Sequence, residues 1–295
     1  MGGVVGNRVV VGVDGSSSSL AAVEAAAREA RWRRAELRVV HAIWPVIVPG
    51  PVPMGAAPFG PAEGVLPAAA ERLVTEALHR AGDVAPEVEV THEVVAGEAL
   101  TVLELQSRDA DLVVIGSRGR GGFVGMLLGS TAVYLAAHSR CPVMVVREQR
   151  EAAGPIVLGV DGSRAGEKAV DFTFAEAALR GADIVALHVW TPDNVPVSPP
   201  QVPDVRGPGT VAEGEERLLA QALAGRQEKY PDVSVRHELV HGVTHEALIE
   251  ASRTAQLVVV GARGRGGFTG LLLGSVSQAL LHHAHCPVAV VRGKE

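Results

Sequence analysis

A glycine spacing that ends in serine is the first chemical signal in this 295-residue chain. Gly116, Gly119, Gly129 and Ser130 spell G-x2-G-x9-G-S, and Gly261, Gly264, Gly274 and Ser275 spell it again. Glycines let a backbone approach a ligand closely and take up positive φ. A Gly-Ser entering a helix offers free N–H groups, a hydroxyl and the positive end of the dipole to a phosphate. Each pattern follows a β-branched run and precedes a helical stretch, which is the placement an anion-binding loop needs. A merely flexible loop is the competing reading, since glycine fills 34 of the 295 positions.

Two further features accompany the glycines. Asp14-Gly15-Ser16 and Asp161-Gly162-Ser163 end the first apolar run of each half; the carboxylate suits a ligand contact, and the tripeptide is also ordinary helix-capping chemistry. His41-Ala42 and His188-Val189 end the next apolar runs, where small apolar atoms suit packing on a base and the histidines more often serve structure. Arg118, Arg120, Arg263 and Arg265 flank the glycines, either to neutralise phosphates or as solvated loop residues.

Absent motifs narrow the chemistry. No G-x4-G-K-[ST] occurs, which disfavours a P-loop nucleotidase, and no G-x-G-x-x-G follows the first strand, which disfavours a dinucleotide fold. Beyond Asp14 and Asp161 there is no nucleophile, base and metal set, so the reading assigns no catalytic and no metal-binding residue. Cys141 and Cys286, the two cysteines, each precede proline and lack zinc spacing, as buried small hydrophobes do. A formal charge of −6 gives no electrostatic reason for a nucleic-acid or membrane partner. No secretory signal and no apolar run of about 18 residues is present, so a cytoplasmic location is expected.

The elements that position these residues come in two copies. The run from Val11 to Ser16 recurs from Leu158 to Ser163, that from Leu112 to Phe123 recurs from Leu257 to Phe268, and Cys141-Pro142-Val143 recurs as Cys286-Pro287-Val288. The first copy alternates strands at residues 8–13, 37–43, 88–95, 112–116 and 143–147 with helices at 16–34, 68–81, 98–108 and 130–138. Strand cores at 156–160, 187–189, 234–240, 257–261 and 288–291 repeat the order. Pro-rich loops at 44–67 and 191–209 interrupt each copy. Such alternation implies right-handed crossovers, hence two tandem Rossmann-like α/β domains, each a five-stranded parallel doubly wound sheet with four helices. The domains are set at 1–148 and 154–295, joined by a short linker.

With its two glycine loops, its Asp-Gly-Ser turns and its Cys-Pro-Val segments, nearly the whole chain resembles, twice over, the universal stress proteins, and within them the tandem ATP-binding members of actinobacterial type. The resemblance implies an adenine nucleotide alpha hydrolase-like fold and one ATP per domain, a nucleotide that can carry Mg²⁺. Asp14 and Asp161 would contact adenosine, and Ala42 and Val189 would line the adenine pocket. Gly116, Gly119, Gly129 and Ser130, with Gly261, Gly264, Gly274 and Ser275, would hold ribose and phosphates, and Ile115 and Val260 would touch the nucleotide. It also implies internal pairing of the domains through their last strands, a homodimer, and a regulatory protein partner in stress response or growth. A slow Mg-dependent ATPase and a nucleotide-independent interaction scaffold are the alternatives, and AMP or cyclic AMP would suit the same cleft.

Overall fold

The computed structural model describes residues 7–43, 68–119, 128–147, 153–190, 208–265 and 272–293. The Pro-rich loops thus lie almost wholly outside the described residues, as does most of the linker. The chain divides into two compact units, Met1–Glu148 and Gln149–Glu295.

In the first unit β1 (Arg8–Gly12) leads to α1 (Ser17–Arg33), β2 (Glu36–Ile43), α2 (Ala68–Val84) and β3 (Val90–Ala96). Then come α3 (Ala99–Gln106), β4 (Leu112–Gly116), α4 (Ser130–His138) and β5 (Val143–Val146). The strands lie in the order β3-β2-β1-β4-β5, and every pair is parallel. Val9, Val10 and Val11 of β1 and Leu112, Val113 and Val114 of β4 are fully buried. Unbroken apolar runs of this kind belong to strands covered on both faces. The cover comes from α1 packed with α2 and from α3 packed with α4.

Alanine decides how closely α1 approaches the sheet: Ala22, Ala26, Ala27 and Ala30 are fully buried. Ser16 caps its first turn by accepting the Ser19 N–H at 3.1 Å. Arg34 ends the helix in the left-handed region at φ 52°, where the second unit places Gly181 at φ 62°. Near this end Glu29 pairs with Arg33 in the interior, and Glu176 pairs with Arg180 at 2.7 Å in the second unit.

The second unit runs β6 (Ile156–Gly159), a 3₁₀ turn (Arg164–Gly166), α5 (Glu167–Arg180), β7 (Ile184–Trp190) and α6 (Pro208–Leu223). It continues through α7 (Arg226–Lys229), β8 (Val235–His241), α8 (Thr244–Ala251), β9 (Leu257–Gly261), α9 (Ser275–His283) and β10 (Val288–Val291). Its order is β8-β7-β6-β9-β10, again parallel throughout.

Two differences from the sequence expectation have local causes. β7 starts at Ile184 rather than Leu187, because Ile184-Val185-Ala186 is buried along with Leu187. The second unit also holds α7 in addition to four longer helices. Gly225 at φ 76° breaks the helix after Leu223, and Arg226 binds Asp171 at 3.1 Å. In the first unit α2 continues unbroken to Val84, with Ala77 and Ala81 fully buried.

Candidate functional site

Strand order reverses between β1 and β4, and between β6 and β9, so neighbouring crossovers leave a crevice at the carboxyl ends of those strands. The turn after β1 enters it. Gly15 takes φ 78° and Gly162 φ 69°, which turns each preceding aspartate back over its serine. Asp14 Oδ1 accepts the Ser16 N–H at 3.0 Å and the Ser16 hydroxyl at 2.7 Å. Asp161 Oδ1 accepts the same two donors from Ser163, at 2.9 and 2.7 Å.

The other carboxylate oxygen faces the glycine loop. Asp161 Oδ2 accepts the backbone N–H of Arg265 at 2.8 Å. A Cβ on Gly119 would lie 2.6 Å from Asp14 Oδ2, and one on Gly264 would collide with Asp161 Oδ2. Asp161 therefore holds its loop directly, and Asp14 lies against Gly119 of its own, while each also caps its turn through the following serine.

The loop starts and ends against fixed backbone. A Cβ on Gly116 would run into Ser18, whose hydroxyl accepts the Arg118 N–H at 3.1 Å. At the far end the Gly129 N–H donates to Ser117 O, and the Gly274 N–H to Ala262 O, each at 2.8 Å. Gly129 and Gly274 are the N-caps of α4 and α9, and neither has a side chain to occupy the first helical N–H groups. Ser130 and Ser275, the first helical residues, are exposed. The first turns of these helices thus open at the same end of the sheet as the aspartate turns.

The remaining candidates fall around this frame. Ile115 and Val260 are buried in β4 and β9, one residue before the loops. Ala42 and Val189 are half-buried near the ends of β2 and β7. Arg118 and Arg265 are exposed and Arg263 is half-buried, while Arg120 lies outside the described residues together with the centres of both loops.

The histidines have a structural task. His41 Nδ1 lies 2.8 Å from Val13 O, and His188 Nδ1 lies 2.6 Å from Val160 O. Each ring pins the carbonyl that precedes the site aspartate. In the second unit a cavity of about 230 Å³ adjoins Asp161, bordered by Ser163, Leu218, Gln221, Arg226 and Arg265. The α6 residues were not among the sequence candidates, because helix spacing alone cannot say which helix reaches a site. Ser18 was missed as well; its signal was the run of serines after Asp14.

Among the described residues no three His, Cys, Asp or Glu side chains cluster as a metal site, and no helix is long and apolar enough to cross a membrane.

Comparison with known proteins gives a consistent outcome. The universal stress protein family model matches residues 6–147 and again 153–292. The chain is 41% identical over 295 residues to a universal stress protein of Mycolicibacterium smegmatis, with 96% of each chain covered. It is 38% identical over 293 residues to one of Mycobacterium tuberculosis, again with 96% of each covered. Among solved structures, a universal stress protein from Archaeoglobus fulgidus shares the fold with a TM-score of 0.65 at 19% identity, covering 98% of this chain and 97% of that one.

Proposed function

We infer that this chain, which belongs to the universal stress protein family through both of its halves, binds an adenine nucleotide, ATP, at two sites and acts by binding rather than by turnover. The observation that carries this reading is the pairing of a site aspartate with a glycine loop that leads straight into a glycine-capped helix, found once in each unit. Such a helix start favours phosphate, and the glycines leave room for it. The proposed contacts are Asp14, Ala42, Ile115, Gly116, Gly119, Gly129 and Ser130 in one site. Asp161, Val189, Val260, Gly261, Gly264, Gly274 and Ser275 form the other.

Mg²⁺ does not suit these side chains as ligands, because Asp14 Oδ1 and both oxygens of Asp161 already accept protein donors. The ion would arrive on the nucleotide phosphates. The same engagement argues against either aspartate as a general base, and so against the ATPase alternative. Occupancy would order the loops and change a surface that a regulatory protein reads, in a cytoplasmic chain that associates as a dimer.

The test is to denature purified full-length protein and identify the released small molecules by mass spectrometry, with equilibrium dialysis for stoichiometry. The expected result is up to two ATP per chain, reduced in the double variant Gly119→Ala, Gly264→Ala. No released nucleotide and no ATP retained in dialysis would overturn the assignment.

A further inference from the structure

The two units differ in how the helix beside the site is held. His188 is only 5% exposed, and both of its ring nitrogens have partners. Nδ1 lies 2.6 Å from Val160 O and Nε2 lies 2.8 Å from Glu215 Oε2. Glu215 stands on α6, one turn before Leu218, and Leu218 sits so close over Gly162 that a Cβ there would lie 2.6 Å from it. The histidine therefore joins the turn before Asp161 to the helix that borders the same cavity, and Val189 is the next residue in the chain.

The first unit keeps half of this arrangement. His41 holds Val13 O at 2.8 Å. Aligning Glu71-Arg72-Leu73 with Glu216-Arg217-Leu218 sets Ala70, a buried residue, opposite Glu215. Among the described residues, one unit has histidine and carboxylate at these positions and the other histidine and alanine.

A hydrogen-bond inventory gives this difference its meaning. A carbonyl oxygen only accepts, an ionised carboxylate only accepts, and a neutral imidazole has one N–H. Both contacts of His188 are satisfied only when the pair holds one proton more than a neutral ring beside a carboxylate. Without it one ring nitrogen turns a lone pair on an oxygen, Nε2 on Glu215 Oε2 or Nδ1 on Val160 O, and the link between α6 and the turn before Asp161 is weakened at that contact.

Among the described residues Glu215 is the carboxylate in hydrogen-bond contact with His188. On β8, His237 and His241 pair with Ala186 and Trp190 and so share the His188 side of the sheet; His241 is taken up by the Trp190 ring at 4.9 Å. Asp161, on the adjoining turn, is engaged by Ser163 and Arg265.

We propose that Glu215 is a positioning residue of the second nucleotide site, and that through His188 it couples that site, and not the first, to the binding of a proton. The inference rests on the nucleotide reading above. The link is complete where protons are available, and it weakens as pH rises.

The experiment measures ATP affinity by calorimetry on full-length chains that keep one site, Gly119→Ala for the second and Gly264→Ala for the first, at about pH 6 and about pH 8. Second-site affinity is expected to fall about fivefold across that interval, beyond any change at the first site. Glu215→Gln should keep the affinity and remove its pH dependence, because the amide donates to a neutral ring. Glu215→Ala should weaken binding at both pH values. Nitrogen-15 NMR should find two N–H groups on the His188 ring and one in Glu215→Gln.

Equal pH dependence at the two sites, or pH dependence that survives in Glu215→Gln, would overturn the coupling. A single N–H on His188 beside an ionised Glu215 at the lower pH overturns this inference alone. A chain that binds no nucleotide at either site overturns the function proposed above and the positioning role with it, whatever the NMR shows.

Discussion

Asp161 and Arg265, 104 residues apart, are joined by a 2.8 Å hydrogen bond from the Arg265 backbone N–H to Asp161 Oδ2. The bond ties the end of β6 to the loop after β9, two strands that lie side by side only because the sheet reverses its order there. Since the donor is a main-chain group, the side chain at 265 can change without breaking the tie.

A methyl group at Gly264 would be driven against Asp161 Oδ2, and one at Gly119 would meet Asp14 Oδ2 at 2.6 Å. Gly264→Ala and Gly119→Ala should each displace the loop and weaken ATP at their own site by about tenfold or more, given the usual cost of overpacking of about 1–3 kcal/mol. Isothermal titration of the single variants checks this; two unchanged sites would show that the loops yield without cost.

Helix capping should separate the units by unfolding. The Ser16 hydroxyl caps the start of α1 and also binds Asp14, whereas Ser163 caps a 3₁₀ turn by accepting the Gly166 N–H at 3.2 Å. Ser16→Ala is expected to cost about 1–2 kcal/mol in denaturant unfolding, and Ser163→Ala less, because α5 starts only after that turn.

Glu36 gives a pH dependence with a definite sign. Burial alone would raise its carboxyl, but the hydroxyl of Thr91, a hydrogen bond from and the charge of Arg8, and the charge of Arg38 together hold it below the ordinary carboxylate range. A lowered value means that its contribution is present above that range and is lost as pH falls through the lowered one. Glu36→Gln should therefore destabilise the first unit at neutral pH, with the gap to the parent closing in thermal melts as pH falls below the ordinary carboxylate range. A gap independent of pH would contradict this.

Cys141 should be nearly inert in the folded chain. Burial pushes its thiol up to about 11, against the lowering influence of the Ser139 hydroxyl. Alkylation at about pH 8 should be slow for Cys141 and for Cys286, which is also buried, and fast once denaturant exposes both. Rapid labelling of native protein would show that these segments open locally.

Much of the fold was legible because the chain states it twice. The runs around Val9 to Val11 and Leu112 to Val114 are apolar without alternation, which only a strand covered on both faces requires, and Ser16 and Gly129 mark helix starts directly. The candidate residues at the strand ends followed from the same pattern. What stayed hidden depends on which helix faces which turn. Glu215 reads as one more charge on an amphipathic helix until α6 is seen against His188. Arg226 reads as a continuation of that helix, because a single glycine at 225 does not announce a break. Asp14 and Asp161 stood out as candidates, but not as carboxylates engaged by their own serines and, for Asp161, by the loop.

The position of β1 has a consequence for synthesis. It lies between β2, which follows at once, and β4, whose Leu112 pairs with Val9 and is translated long afterwards. Until then a nascent chain presents one side of β1 as an open apolar ribbon, so the interval before β4 leaves the ribosome is the first unit's period of greatest exposure to misassociation. β5 ends at Val146 before β6 begins at Ile156, so every described strand of the first unit has been made before the first strand of the second. Two similar sets of strands that could exchange are thereby kept apart in time, and the order of translation guards against mispairing between the copies.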